Sequence, residues 1–475
     1  MMRGAAFGAA LIFVVAAALF LRLPELGNRP FHADEAVHAV KLWEARQRGA
    51  YIYDPDEFHG PTLYWAAAPF LAARGRADIG ATTEADYRLG TVAAGVLIIL
   101  LLALLRDGLG RRATLISAVL IAVAPAFTFY SRYFIQETLL VCFTVGALGA
   151  WWRHAATGRT WWAVAAGAFV GLMAATKETA ALTVGAWMAA SWVTGARPSF
   201  RVLIYAGLTA AILAAVVLTD LGRNTSAVID YARSYAPWLT RAHGTSIHSH
   251  GWTYYLAILT GIRPGGRLAL IEGIVPACAI IGSVLADIGR RSFKQDSAEA
   301  ARSRLLARIT VATALLLAAY SAIPYKTPWC ILTPLAGLCL LAGVGASRIL
   351  ESLARRSRAL GMVGWAVGLM AVVLIGRQAH ADSFRDQVSP RNPYVYAQTV
   401  PDAEDIGRRA EALAAFHPDG LHMVVKVIWT DHYYWPIPWY LRRFPNVGYW
   451  TSMPDDPDAP LILAAPEYDE ELTRR

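Results

Sequence analysis

Residues 161–194 read WWAVAAGAFVGLMAATKETAALTVGAWMAASWVT, and their only charges are Lys177 and Glu178. This stretch is either one long membrane span interrupted by a charged pair or two short spans joined at it. The surrounding connections decide between the two. Lys and Arg collect in cytoplasmic loops. Five connections are basic: Arg106-Asp107 to Arg111-Arg112, Arg153 to Arg159, Arg197 to Arg201, Arg290-Arg291 to Arg308, and Arg348 to Arg358. A single span over 161–194 would put the last three on the opposite side from the first two. Two spans with a turn at Lys177 keep all five together. We therefore read two helices, with the turn on the non-cytoplasmic side.

The same pattern extends along the chain. Further apolar segments lie at 4–21, 91–105, 113–130, 138–152, 202–219, 268–286, 308–323, 329–346 and 360–376. With 161–176 and 179–194 they make about eleven spans by hydropathy. The N-terminus is then inside and the C-terminus outside. A signal peptide is the competing reading of the first segment, because Arg3 precedes it. The following Arg22-Leu23-Pro24-Glu25 offers no small-residue cleavage site. Composition agrees with a membrane protein: 56% of the 475 residues are hydrophobic and only 17% charged, against about 25% charged in soluble domains. The net charge of +9 fits basic cytoplasmic loops, and nothing in it calls for nucleic acid. Cys142, Cys278, Cys330 and Cys339 lie in or beside apolar runs without CxxC or metal-ligand spacing. They read as buried thiols.

The fold class is thus mainly α: a polytopic membrane helix bundle over 1–376, followed by a tail at 377–475. In the tail, 402–416 has helical spacing, with Ile406, Ala410, Leu413 and Phe416 on one face. Residues 421–429 and part of 460–465 read as strands, and 433–443 as a helix. This describes a small α/β domain outside the cytoplasm.

The outer face receives the loops 22–90 and 220–267, the turn 323–328 and short turns near Arg132 and Lys177. The first loop contains Phe31-His32-Ala33-Asp34-Glu35-Ala36, then an amphipathic stretch, 37–48, with Val40 and Trp43 on its apolar face. Such a helix suits the membrane interface. Asp34-Glu35 at its start could be an ordinary N-terminal cap. A second acidic cluster, Asp54-Pro55-Asp56-Glu57, precedes Phe58-His59-Gly60-Pro61 and Thr62-Leu63-Tyr64-Trp65. Charges also stand at three span ends: Arg132 with Glu137, Lys177-Glu178, and Tyr325-Lys326. Charge inside a membrane helix is costly, and much less so near its ends. Snorkelling explains any one of these singly, but not their gathering on the side that should be poor in positive charge.

Together these residues suit group transfer. Carboxylates could take a proton from an incoming hydroxyl, and cations could steady a departing phosphate. Sequence signatures of nucleotide-binding loops are absent. A donor able to reach the outer face, a sugar phosphate on a polyprenyl lipid, fits better. The alternative is a lipid-glycan flippase component or transporter without chemistry. It would need headgroup-sized charge through the membrane depth and on both faces. His243, His248 and His250 could ligate a metal, although no regular pattern aligns them.

The acidic pair in the first outer loop, the interfacial helix and His59-Gly60-Pro61-x-Leu63-Tyr64-Trp65 resemble the GT-C glycosyltransferase superfamily. Within it, the likeness is to the protein O-mannosyltransferases and the lipid A aminoarabinose transferase. Tyr325-Lys326-x-Pro328-Trp329 and Trp435-Pro436-Ile437-Pro438-Trp439-Tyr440-Leu441-Arg442 resemble a prokaryotic subgroup labelled flippase-activity-associated proteins. The resemblance covers most of 1–346 and recurs in the tail. It implies an inverting transfer of a hexose or pentose from a polyprenyl-phosphate sugar to a glycan, lipid or protein acceptor. The site would lie at the outer face of a prokaryotic plasma membrane. It places the general base at Asp34, with Glu35 beside it and Glu57 as a further acidic residue. Arg132, Lys177, Tyr325 and Lys326 would bind the donor phosphate. His32, His59, Tyr64 and Glu137 would line the substrate loop. A lysine of the aminoarabinose transferase pattern is replaced here by His59, which shifts phosphate binding onto the other cations. Some relatives hold a divalent metal and others none; if one binds here, Asp34 and Glu57 would hold it.

Overall fold

The computed structural model describes residues 4–56, 59–195, 198–244, 246–263, 267–268, 273–292, 298–431 and 433–474. The apolar segments fall on helices, that at 268–286 from Ile274 onward. Among the described residues, six helices are long and apolar enough to cross a membrane: Gly4–Arg22, Glu84–Leu109, Phe200–Leu218, Ala298–Ala322, Pro328–Arg356 and Arg358–Arg385. A seventh crossing is added if Arg111–Val123 and Pro125–Ser131 count as one span bent by 58°. The bend has a local cause. Pro125 pushes Ala124 into an extended conformation, which interrupts the helical ladder. The other apolar segments are helical without meeting the same length and composition. Hydropathy locates such segments but does not measure how far the helix through each one runs.

The chain divides into two compact units. The first holds residues 1–24, 50–66 and 88–396; the second holds 25–49, 67–87 and 397–475. Hydropathy ends the membrane region at 376 and leaves the tail as a separate domain. In the structure, two pieces of the first outer loop belong with the tail.

Within the first unit, residues 161–194 form two helices, Thr160–Ala174 and Ala180–Val193, as the loop charges required. Packing shows that the chain reverses between them. A Cβ on Gly167 would lie 2.2 Å from the Ala206 carbonyl oxygen, and one on Gly171 would lie 2.7 Å from that of Ala210. The register rises together, so Thr160–Ala174 and Phe200–Leu218 run parallel. The intervening helix must therefore run the other way. These two glycines let the backbones approach closely, as small residues do between membrane helices.

In the second unit, strands Val425–Ile428, Val447–Trp450 and Leu461–Ala464 form a parallel three-stranded sheet with Val425–Ile428 in the centre. The tail helix is Ala403–Ala414 and the helix expected at 433–443 is the single turn Ile437–Tyr440. The core joins Ala410, Ala414, Met423, Val425, Val427, Ile437, Leu441 and Phe444. The strand Val447–Trp450 went unread in the sequence, although Val, Tyr and Trp in a short run between prolines are strand signals.

Candidate functional site

In the second unit, residues 33–48 form the helix Ala33–Arg48. Its start resolves the acidic pair. His32 is the N-cap: its Nδ1 accepts the Asp34 amide N–H at 3.1 Å. Glu35 completes a capping box by accepting the His32 amide N–H at 3.2 Å, and its carboxylate lies 3.7 Å from Arg29 Nη2. Glu35 is fully buried and satisfies helix-terminal donors. The cap reading therefore belongs to Glu35 and His32. The side chain of Asp34 is half exposed, its carboxylate 3.8 Å from His32 Nδ1. Asp34 thus projects a carboxylate from a fixed helix end.

The first unit gathers most of the other named residues around the Lys177 turn. Gly60 is required there: a Cβ would lie 2.0 Å from the Ala175 carbonyl oxygen. Thr62 Oγ1 donates to Thr176 Oγ1 at 2.8 Å. The His-Gly-Pro segment and the Lys-Glu turn are therefore pressed together. His59 Nδ1 meets Glu178 Oε2 at 2.6 Å, and the Tyr53 hydroxyl donates to Glu178 Oε1 at 2.5 Å. Burial alone would raise the Glu178 carboxyl, but the charge and hydrogen bond of His59, with the Tyr53 hydroxyl, hold it down at about 2. Tyr64 is buried edge-on to Tyr51, ring centroids 5.6 Å apart. Lys177 donates to Glu137 Oε1, both side chains being largely buried. Burial opposes the Lys177 charge, yet Glu137 outweighs it and raises the amine above its ordinary value.

Lys326 has different surroundings. It is buried and its ammonium donates to the carbonyl oxygens of Ile323 and, at 3.1 Å, His250. Among the described residues no carboxylate forms an ion pair with it. Burial lowers its amine from the ordinary value. The turn is braced by antiparallel bridging of Ser249 to Tyr325, with the His250 amide donating to Pro324 and the Lys326 amide to His248. Tyr325 packs 4.9 Å from the His248 ring, and His248 is hydrogen-bonded to the Tyr396 hydroxyl. The His250 ring stacks on Tyr254 at 4.4 Å, and its buried Nε2 has no hydrogen-bond partner among the described residues. Burial and the Lys326 charge both lower the His250 imidazole.

Arg132 goes elsewhere. Its guanidinium donates to the carbonyl oxygens of Arg22 and Pro24 and lies 4.2 Å over the Phe384 ring. It ties down the end of the first helix. Glu57 lies outside the described residues. Among the described residues, no three His, Cys, Asp or Glu side chains gather as a metal ion would require. Sequence reasoning missed Tyr53 and Tyr396 and weighed His250 only as a metal ligand; the significance of all three comes from partners far along the chain. Only the alternation Tyr51-Ile52-Tyr53 hinted at a face.

Residues 59–221 match the family described as dolichyl-phosphate-mannose-protein mannosyltransferase. No curated protein matches the chain. Among solved structures, ArnT from Cupriavidus metallidurans in the apo state is similar over 92% of this chain and 85% of its own, with TM-score 0.64 and 16% identity. The same protein bound to undecaprenyl phosphate gives TM-score 0.63 and 17% identity over the same shares. The Archaeoglobus fulgidus oligosaccharyltransferase tethered to an acceptor peptide gives TM-score 0.62 and 15% identity, over 95% of this chain and 64% of its own. With its crossing helices, its family match and this likeness, the chain is a multi-pass membrane protein with the fold of the GT-C glycosyltransferase superfamily.

Proposed function

We propose that the protein transfers a sugar from a polyprenyl-phosphate donor to a hydroxyl acceptor at the outer face of a plasma membrane, with Asp34 as general base. The observation that carries this reading is the division of labour at 32–35. Glu35 and His32 satisfy the helix end, leaving the Asp34 carboxylate directed outward from a fixed position. In the reaction, the acceptor oxygen forms a bond to C1 while its proton passes to Asp34. The C1–O bond to phosphate breaks with inversion, and its electrons leave with the polyprenyl phosphate. That anion needs charge stabilisation. Lys326 suits it: an ammonium has three N–H donors, and two are directed at carbonyl oxygens. Lys177 is already neutralised by Glu137. The likeness to ArnT, whose structure holds undecaprenyl phosphate, supports a donor of this class.

The test uses purified protein in lipid nanodiscs with radiolabelled undecaprenyl-phosphate hexoses and pentoses and a membrane acceptor extract. Asp34→Asn is expected to lower transfer by at least a thousandfold, roughly 4 kcal/mol, while the protein stays folded. Full activity in Asp34→Asn would sink the mechanism. Movement of the labelled lipid across vesicles without consumption would make the protein a transporter instead.

A further inference from the structure

Residues 435–442 make no contribution to the reaction described so far, yet their second half lies at the centre of the second unit. Trp439 is fully buried. Its ring centroid is 4.6 Å from that of Phe31, its indole N–H donates to Glu84 Oε1 at 2.7 Å, and the Arg442 guanidinium lies 3.9 Å over it. The Tyr440 hydroxyl accepts the Phe31 amide N–H at 3.2 Å. Gln398 Nε2 donates to the Pro30 carbonyl oxygen at 3.0 Å. Gly407 lets the tail helix close on this point, since a Cβ there would lie 2.6 Å from the Tyr440 carbonyl oxygen. Pro30 and Phe31 immediately precede the N-cap His32, and Asp34 follows two residues later. Tail residues thus hold both polar groups of the Pro30–Phe31 peptide unit.

We infer that Trp439 and Tyr440, assisted by Gln398, are positioning residues that fix Asp34 through residues 30–32. This rests on Asp34 being the base. A base works only within hydrogen-bond reach of the proton it removes, and small misplacements are expensive. The helix start carries Asp34, so whatever fixes the backbone at Phe31 fixes the carboxylate. The tail is thereby a working part of the reaction.

Tyr440→Phe removes the acceptor for the Phe31 amide. The expected result is a kcat lower by roughly tenfold, about the worth of one hydrogen bond, with unchanged donor KM. The same change in an Asp34→Glu background should cost less than twofold, because that carboxylate is already displaced. An unchanged kcat in Tyr440→Phe would overturn the inference. So would equal losses in the two backgrounds, which would mark a merely structural role. If Tyr440→Phe does not fold, Gln398→Ala enters the same cycle with the same outcomes. Full activity in Asp34→Asn would instead overturn the base assignment itself.

Discussion

The turns carrying Lys177 and Lys326 each bury an ammonium, and they solve the cost in opposite ways. Lys177 faces Glu137, and its charge is strengthened. Lys326 faces carbonyl oxygens, and burial weakens its charge. A buried charge is tolerable when paired or fully hydrogen-bonded. The first arrangement cancels the charge and leaves little to offer a ligand. The second solvates the charge without cancelling it. An anion arriving at Lys326 would supply the compensation that Lys177 already has.

The largest expected effect breaks the closed pair. Lys177→Ala leaves Glu137 buried without its cation, which costs about 3–5 kcal/mol. The measurement is thermal unfolding in detergent, and the change should appear mainly as lost stability. Lys326→Ala should do the reverse. It leaves the carbonyls of His250 and Ile323 without a donor but strands no carboxylate. Donor KM should rise about tenfold to a hundredfold, on the scale of a charged hydrogen bond of roughly 1.5–3 kcal/mol. If Lys177→Ala weakened donor binding and Lys326→Ala only stability, the contrast between the turns would be reversed.

The sequence disclosed the reversal at Lys177 because charge distribution among loops is a property of composition, readable without contacts. It also disclosed which residues around Asp34 were unusual. It left Asp34 and Glu35 undivided, because the capping box depends on which carboxylate turns inward. Nor could it separate Lys177 from Lys326. Both are single lysines at span ends, and the distinction lies in partners forty or more residues away: Glu137 for one, the His250 carbonyl for the other. Arg132 looked like a phosphate ligand for the same reason, and its carbonyl partners at Arg22 and Pro24 are equally remote. The strand Val447–Trp450 and the assembly of 25–49 and 67–87 with the tail were hidden for a related reason. The first was short, and the second depends on non-local packing around Trp439 and Tyr440.

The smallest expected effect is in the pH dependence, and it sharpens the comparison most. Lys326 has a folded-state pKa below its ordinary value because burial penalises the ammonium. As pH rises through that lowered value, Lys326 loses its proton, and donor KM should climb before an ordinary lysine would titrate. Stability should move the other way. Between the lowered value and the ordinary one, the unfolded chain binds more protons than the folded chain, so this group's contribution to stability increases with pH. Weaker donor binding with undiminished stability separates this titration from alkaline unfolding. Lys326→Arg should remove the limb, since a guanidinium remains charged throughout. Lys177 cannot produce it, because Glu137 raises its amine. A limb that survives in Lys326→Arg would place the titrating cation elsewhere and leave Lys326 a structural donor to the turn it braces.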